Sequence, residues 1–303
     1  MATLQRVVVA MLLAGCMRLD GFVYRARQAK AGESEKFSST IIPADLQDAV
    51  SGPIVSDDGV VIDAALVRHR AGDGTPDARH TTALLYCHGN NTFLGVTTPR
   101  IEELWRLGYT VLLLDYRGFG RTSGTPTEEG VYKDARAARA WLESRVDLGL
   151  SPARVGLYGR SLGTAICLHI AAERAPKALI LESPIAAIST IIDDSLGLDA
   201  PAEWFVDTKM DNPNTAGALT GPLFILHGLA DTYVQPKYGQ SIHDAAVHAS
   251  PNLLWLVPGA THGTVPCNPG ANENPAIEND CSSGFSAEYE KRVTEFYDAA
   301  IGP

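Results

Sequence analysis

Six short apolar runs punctuate the chain: "TTALLYC", "YTVLLLDY", "RVGLYG", "KALILES", "GPLFILHG" and "NLLWLVPG". Segments of helical period separate or follow them, among them "TPRIEELWRLG", "TEEGVYKDARAARAWLESRV", "SLGTAICLHIAAER", "QPKYGQSIHDAAVHA" and "SAEYEKRVTEFYDAAI". A strand apolar along its whole length needs cover on both faces, and helical connections supply that cover. The pattern predicts an α/β fold with a mostly parallel sheet of about eight strands and helices on both faces. "GVVIDAALVRH" alternates instead and predicts an edge strand. A chain of 303 residues can bury a sizeable core as one large domain. In such sheets ligands sit at the carboxyl ends of strands, so the residues there carry the functional reading.

At one strand end stands Gly159-Arg160-Ser161-Leu162-Gly163, between "RVGLYG" and the helix that follows. Glycines on both sides of a serine at a strand–helix junction fit a nucleophile elbow, where side chains at those positions would strike the neighbouring strand and helix. A serine is a poor nucleophile unless a base takes its proton. His262 follows the last apolar run and Asp231 follows the one before it, giving the chain order Ser161, Asp231, His262. His262 would act as the base, and Asp231 would fix its tautomer and stabilise the imidazolium. Glu182 and Asp207 are alternative acids; as plain structural residues, Ser161 would cap a helix and His262 would sit on a surface loop. Oxyanion donors are expected from the N–H of Leu162 and of Asn90, the latter in the glycine turn His88-Gly89-Asn90-Asn91. His88 and His227 precede glycines and read as turn residues, and His169 as core. His69, His80, His243 and His248 lack a neighbouring strand-end carboxylate or glycine turn. "RGFGRTSG" has neither the spacing nor the following helix of a phosphate loop and reads as a loop lining the site.

Taken together, "LLYCHGNN", "GYTVLLLDYRGFGRTSG", "LYGRSLG", "ALILESP", "LFILHGLAD" and "VPGATHG" resemble the α/β-hydrolase superfamily. Within it the motifs are most similar to small-capped serine hydrolases related to the protein depalmitoylases, bacterial lipoprotein members above all. The resemblance runs from about Val55 to Gly263. It implies an α/β-hydrolase fold without a large cap domain, an esterase-like or thioesterase-like activity on acyl substrates, and no metal or organic cofactor. It places nucleophile, acid and base on Ser161, Asp231 and His262, and the oxyanion loop on His88-Gly89-Asn90. A serine peptidase would use the same residues, and a non-catalytic envelope binding protein could keep the fold alone. The stretch after His262, "GTVPCNPGANENPAIENDCSSG", is longer than the family's short loop at this point. Between "KALILES" and "GPLFILHG" there is too little chain for a large cap. Ile188, Ile191, Ile192, Leu196, Trp204 and Phe205 there either cover the sheet as a packed helix or line an acyl pocket.

The N-terminus differs in kind. Arg6, an apolar run from Val7 to Ala14 and then Gly15-Cys16 have the length of a signal peptide rather than of a membrane span, which needs about 20 residues. Leu13-Ala14-Gly15-Cys16 resembles a lipobox. It implies a signal peptide over residues 1–15, a lipidated Cys16, a polar tether to residue 45, and the hydrolase domain over 46–303. The protein is accordingly expected to be an exported lipoprotein held at a membrane of the bacterial envelope. Of the five cysteines, Cys87 and Cys167 read as buried small hydrophobes. Cys267 and Cys281 flank a polar segment that a disulfide would pin, which an oxidising compartment permits. A net charge of −10, with no basic run, argues against a nucleic-acid partner.

Overall fold

The structure is a computed structural model and describes residues 23–28, 36–50, 52–70, 77–196, 206–267, 281 and 284–302. Its strands are β1 (Gln47–Ala49), β2 (Ile54–Val55), β3 (Val61–Ile62), β4 (Ala64–Val67), β5 (Ala83–Cys87), β6 (Thr110–Leu114), β7 (Val155–Arg160), β8 (Leu179–Glu182), β9 (Leu223–Gly228) and β10 (Asn252–Val257). The principal helices are α1 (Thr98–Arg106), α2 (Glu128–Glu143), α3 (Leu162–Glu173), α4 (Ile188–Leu196), α5 (Asn212–Ala216), α6 (Pro236–Ala245) and α7 (Ala287–Ile301). Eight strands form one sheet in the order β1-β4-β6-β5-β7-β8-β9-β10. All neighbours are parallel from β6 to β10, whereas β4 runs antiparallel to β6 and β1 antiparallel to β4.

The continuous apolar runs divide by side-chain parity. Leu85, Leu112, Leu181 and Ile225 face one core with Val131, Ala135 and Leu142 of α2, Ile166 of α3 and Ile242 of α6. Their neighbours Leu84, Val111, Ile180 and Phe224 face a second core with Ile101 and Leu104 of α1 and Val293, Phe296 and Tyr297 of α7. Alternation of side chains about a strand thus gives each face its own helical layer. Caps fix helix starts: the Thr127 hydroxyl accepts from Gly130 N–H at 3.1 Å, and the Asp211 carboxylate from Asn214 N–H at 3.2 Å. Gly108, with φ +98°, turns the chain from α1 into β6.

The expected edge strand differs in detail. "GVVIDAALVRH" breaks at Asp63 into β3, which pairs with β2 in a separate two-stranded sheet, and β4, which has the short β1 outside it. The expected tether is not free along its length either. Val23 and Tyr24 are buried in the first core and Ile42 in the second, because apolar residues scattered through a polar segment still find a surface to cover. Cys16 and residues 1–22 lie outside the described residues. Between β8 and β9 the described chain forms α4 and α5. Ile188 is buried there, with Ile191 and Ile192 packed against the same core, which favours the sheet-covering reading for these three. Trp204, Phe205 and the Leu196 side chain lie outside the description.

Candidate active site

Ser161 sits between β7 and α3 with φ +50° and ψ −117°, a conformation that costs a non-glycine residue on the order of 1–3 kcal/mol. Its flanking glycines are required by close approach. A Cβ on Gly159 would lie 2.5 Å from the Gly163 carbonyl oxygen, and one on Gly163 would lie 2.0 Å from the Cys87 carbonyl oxygen and 2.7 Å from that of His88. The second contact presses the elbow against the turn after β5. The Leu162 N–H opens α3, where helix-terminal donors and the helix dipole favour negative charge. Among the described residues neither this N–H nor that of Asn90 donates to another protein group, so both remain available as oxyanion donors.

His262 Nε2 is 3.1 Å from Ser161 Oγ, and its Nδ1 is 2.8 Å from Asp231 Oδ2. The turn carrying Asp231 is clamped to the turn before His262: Ala230 N–H donates to the Ala260 carbonyl at 2.9 Å, and a Cβ on Gly228 would meet that oxygen at 2.2 Å. Asp231 Oδ1 accepts from the N–H groups of Tyr233 (2.9 Å) and Val234 (2.8 Å). Burial pushes the Asp231 carboxyl up, but hydrogen bonds from His227, His262 and Val234 outweigh it and hold the pKa well below the usual carboxylate range. The acid is therefore ionised wherever His262 could act as a base.

Glu182 is excluded as the acid by its surroundings. Fully buried, it accepts from Arg100 at 2.8 Å, from the Tyr158 hydroxyl at 2.5 Å and from Arg160 at 3.3 Å, and Tyr158 in turn meets the Tyr289 hydroxyl at 3.1 Å. Burial would lower the Arg100 pKa, but the facing Glu182 carboxylate keeps it high and the side chain charged. Arg160 also donates to the His262 carbonyl at 3.3 Å, as does the Ser183 hydroxyl at 3.4 Å. This buried ion cluster therefore braces the backbone of the base. Asp207 is exposed, and the carboxylate that meets His262 Nδ1 is that of Asp231.

Other histidines take structural places. His227 is buried beside the acid, with Nε2 2.8 Å from the Val234 carbonyl and 3.4 Å from Asp231 Oδ2. It supports the acid loop, a role sequence reading did not assign; its only signal is its place at the end of the strand bearing Asp231. His88 packs its ring 4.4 Å from that of Tyr116, behind the turn after β5. His169, expected in the core, lies instead at the margin between α2 and α3, stacked at 3.7 Å on Tyr132 and paired with Glu173, because it is polar and an acidic partner stands one turn on. In the "RGFGRTSG" loop the Arg117 guanidinium binds Asp134 and Asp58, both at 2.7 Å, tying that loop to α2 rather than presenting a cation to the site.

Cys267 and Cys281 form a disulfide, with Cα atoms 5.0 Å apart. Cys267 also bridges Phe285, and Ser286 N–H donates to the Pro266 carbonyl at 2.8 Å, so the ends of the long insertion are drawn together five residues after the base. Closing such a loop is worth roughly 3 kcal/mol in the chain-entropy account. The Cys267→Ser/Cys281→Ser double variant should lose several-fold in turnover, while the melting temperature of the sheet falls by only a few degrees. Unchanged turnover with the bond absent would show that it serves only to protect the loop.

A serine on a strained elbow, with imidazole and carboxylate delivered by the next strand ends of a doubly covered parallel sheet, is the site of a serine hydrolase, and the chain belongs to the α/β-hydrolase superfamily. A family profile described as Hydrolase_4, serine aminopeptidase, S33, matches residues 78–210. An uncharacterized protein of Mycobacterium tuberculosis is 30% identical over 225 residues, 74% of this chain and 75% of that protein. Human alpha/beta hydrolase domain-containing protein 17B is 31% identical over 199 residues, 63% of each chain. Among solved structures, the Pyrococcus furiosus esterase Pf2001 superposes with a TM-score of 0.64 at 20% identity, covering 89% of this chain and 97% of that one. A puromycin-hydrolyzing peptidase of M. tuberculosis does so with a TM-score of 0.58 at 18% identity, covering 86% and 40%.

Proposed function

We propose that the protein hydrolyses carboxylic esters or thioesters through an acyl-enzyme on Ser161. The observation that carries this reading is the unbroken contact chain from Ser161 Oγ through His262 to an ionised Asp231. His262 Nε2 takes the hydroxyl proton as Oγ attacks the acyl carbon, and the negative charge moves to the carbonyl oxygen, toward the N–H groups of Leu162 and Asn90. Collapse breaks the bond to the leaving alcohol or thiol, which receives the proton from His262. A water, deprotonated by the same imidazole, then attacks the acyl carbon; a second collapse releases the carboxylic acid and restores Ser161. Asp231 remains ionised throughout and stabilises the imidazolium. The reading also takes Cys16 as a lipidated anchor at the bacterial envelope, supported by the lipobox-like sequence and by a disulfide suited to an exported protein.

Peptide hydrolysis is the second reading, favoured by the match to a profile described as serine aminopeptidase. A panel of p-nitrophenyl esters and acyl thioesters of increasing chain length, run beside aminoacyl-p-nitroanilides, separates the two. The ester or thioester reading expects kcat/KM of at least ~10⁴ M⁻¹s⁻¹ on the best ester or thioester and no measurable release of p-nitroaniline, since an activated ester acylates even a serine peptidase faster than an anilide does and a ratio alone does not separate the two. Turnover of the anilides would overturn the esterase reading. A protein inert to all three classes and to fluorophosphonates would be a binding protein on the same fold.

A further inference from the structure

The segment Val23–Gln28 crosses two loops at the carboxyl edge of the sheet. The Asn90 side-chain amide donates to the Val23 carbonyl at 2.5 Å and its oxygen accepts from Arg25 N–H at 2.8 Å, while Asn91 N–H donates to the Arg25 carbonyl at 3.1 Å. Further along, Gly120 N–H donates to the Arg27 carbonyl at 2.9 Å, and the Gln28 side chain to the Gly118 carbonyl at 2.8 Å. Val23 and Tyr24 are buried against the core and the Arg27 guanidinium lies over the Phe93 ring, so the segment is seated by packing as well as by hydrogen bonds.

Within the turn after β5 the Asn90 side chain has one long contact, Asn91 N–H donating to its Oδ1 at 3.3 Å, whereas its shorter hydrogen bonds, at 2.5 and 2.8 Å, are with residues 23–25. Asn91 has φ +56°, a conformation asparagine tolerates but does not enforce. With both ends of the Asn90 side-chain amide held by residues 23–25, the peptide plane on which an oxyanion donor depends is fixed from outside the turn.

We infer that Val23–Gln28 is a positioning strap of the active site, which aims the Asn90 N–H at the developing oxyanion by gripping the Asn90 side chain. The inference rests on the hydrolase reading of the site. Its consequence is that the N-terminal segment, which contributes no reacting group, governs the rate of the chemical step.

Two variants break the grip from opposite sides: Asn90→Ala removes the side-chain amide and keeps the backbone N–H, and Arg25→Pro removes the donor to it. In the full-length protein each should lower kcat on a soluble p-nitrophenyl ester by about 10- to 100-fold, as expected when an oxyanion donor is misaimed rather than deleted. KM should change by less than ~3-fold, and an alkylboronic acid, which becomes tetrahedral on Ser161, should lose affinity in proportion to kcat. The double variant should be no slower than the slower single one, because both changes act through one contact. If Arg25→Pro does not fold, Asn90→Ala decides alone, since it leaves the backbone intact. A folded Asn90→Ala protein with kcat within twofold of wild type, or with KM raised and kcat unchanged, would overturn the strap's role. An active wild type with unaffected variants defeats the strap alone. A wild type that hydrolyses no ester and takes no fluorophosphonate defeats the hydrolase reading, and the strap with it.

Discussion

Replacing Ser161 with alanine should abolish labelling by a fluorophosphonate and lower ester hydrolysis by at least ~10⁴-fold, leaving what an oxyanion hole and binding supply without a nucleophile. The effect is large because in the proposed reaction Oγ is the attacking atom, and it lies 3.1 Å from His262 Nε2. Stability should change little: the backbone retains its φ of +50°, and one hydrogen bond to the ring is lost. Ser183→Ala is the matched control. Ser183 also has a positive φ, +48°, and lies close to the base, but its hydroxyl meets the carbonyl of His262 rather than its ring. Labelling should survive there. Labelling that survives Ser161→Ala instead would place the nucleophile at another residue.

The largest stability effect is expected at Glu182. Its carboxylate faces the guanidinium of Arg100, both with side chains at 0% exposure, and Arg160 besides. Glu182→Gln keeps the shape but removes the carboxylate that faces the buried Arg100 guanidinium at 2.8 Å, a loss of about 3–5 kcal/mol. For a chain of this length that corresponds to a fall of roughly 5–8 °C in melting temperature. Turnover should also fall, because Arg160 then loses the partner that holds it on the His262 carbonyl. Adding Arg100→Leu should recover part of the melting temperature, since removing both charges costs far less than removing one of them, while the loss of turnover should persist. Calorimetry finding Glu182→Gln within about 2 °C of wild type would show the cluster to be solvated rather than buried.

Much of the site could be read from residue order, because the constraints that act there are local. Gly159 and Gly163 declare close backbone approach whatever the rest of the fold does, and each of Ser161, Asp231 and His262 follows an apolar run whose end must lie at one edge of a parallel sheet. What escaped notice depends on long-range pairing. The cluster of Arg100, Tyr158, Glu182 and Tyr289 draws on α1, β7, β8 and α7, and none of these residues has a distinctive neighbourhood in sequence. Glu182 could serve as an alternative acid on paper because only the fold shows which way its carboxylate points. Residues 23–28 look like tether by composition; their hydrogen bonds are to turns more than sixty residues away. β1 is three residues long and carries no periodicity to detect.

The sheet order also bears on how the protein acquires its activity during folding. The nucleophile and its base are 101 residues apart, and β8 and β9 must both be in place before β10 can dock and bring His262 to Ser161. Parallel strands pair only after long crossovers have closed, so such contacts form late relative to local ones. A partly folded chain can therefore own a complete elbow while lacking a base, and remains chemically silent until its last strand is seated. Recovery of turnover after dilution from denaturant should accordingly trail the recovery of helical signal, making the reaction a clock for the final step of assembly.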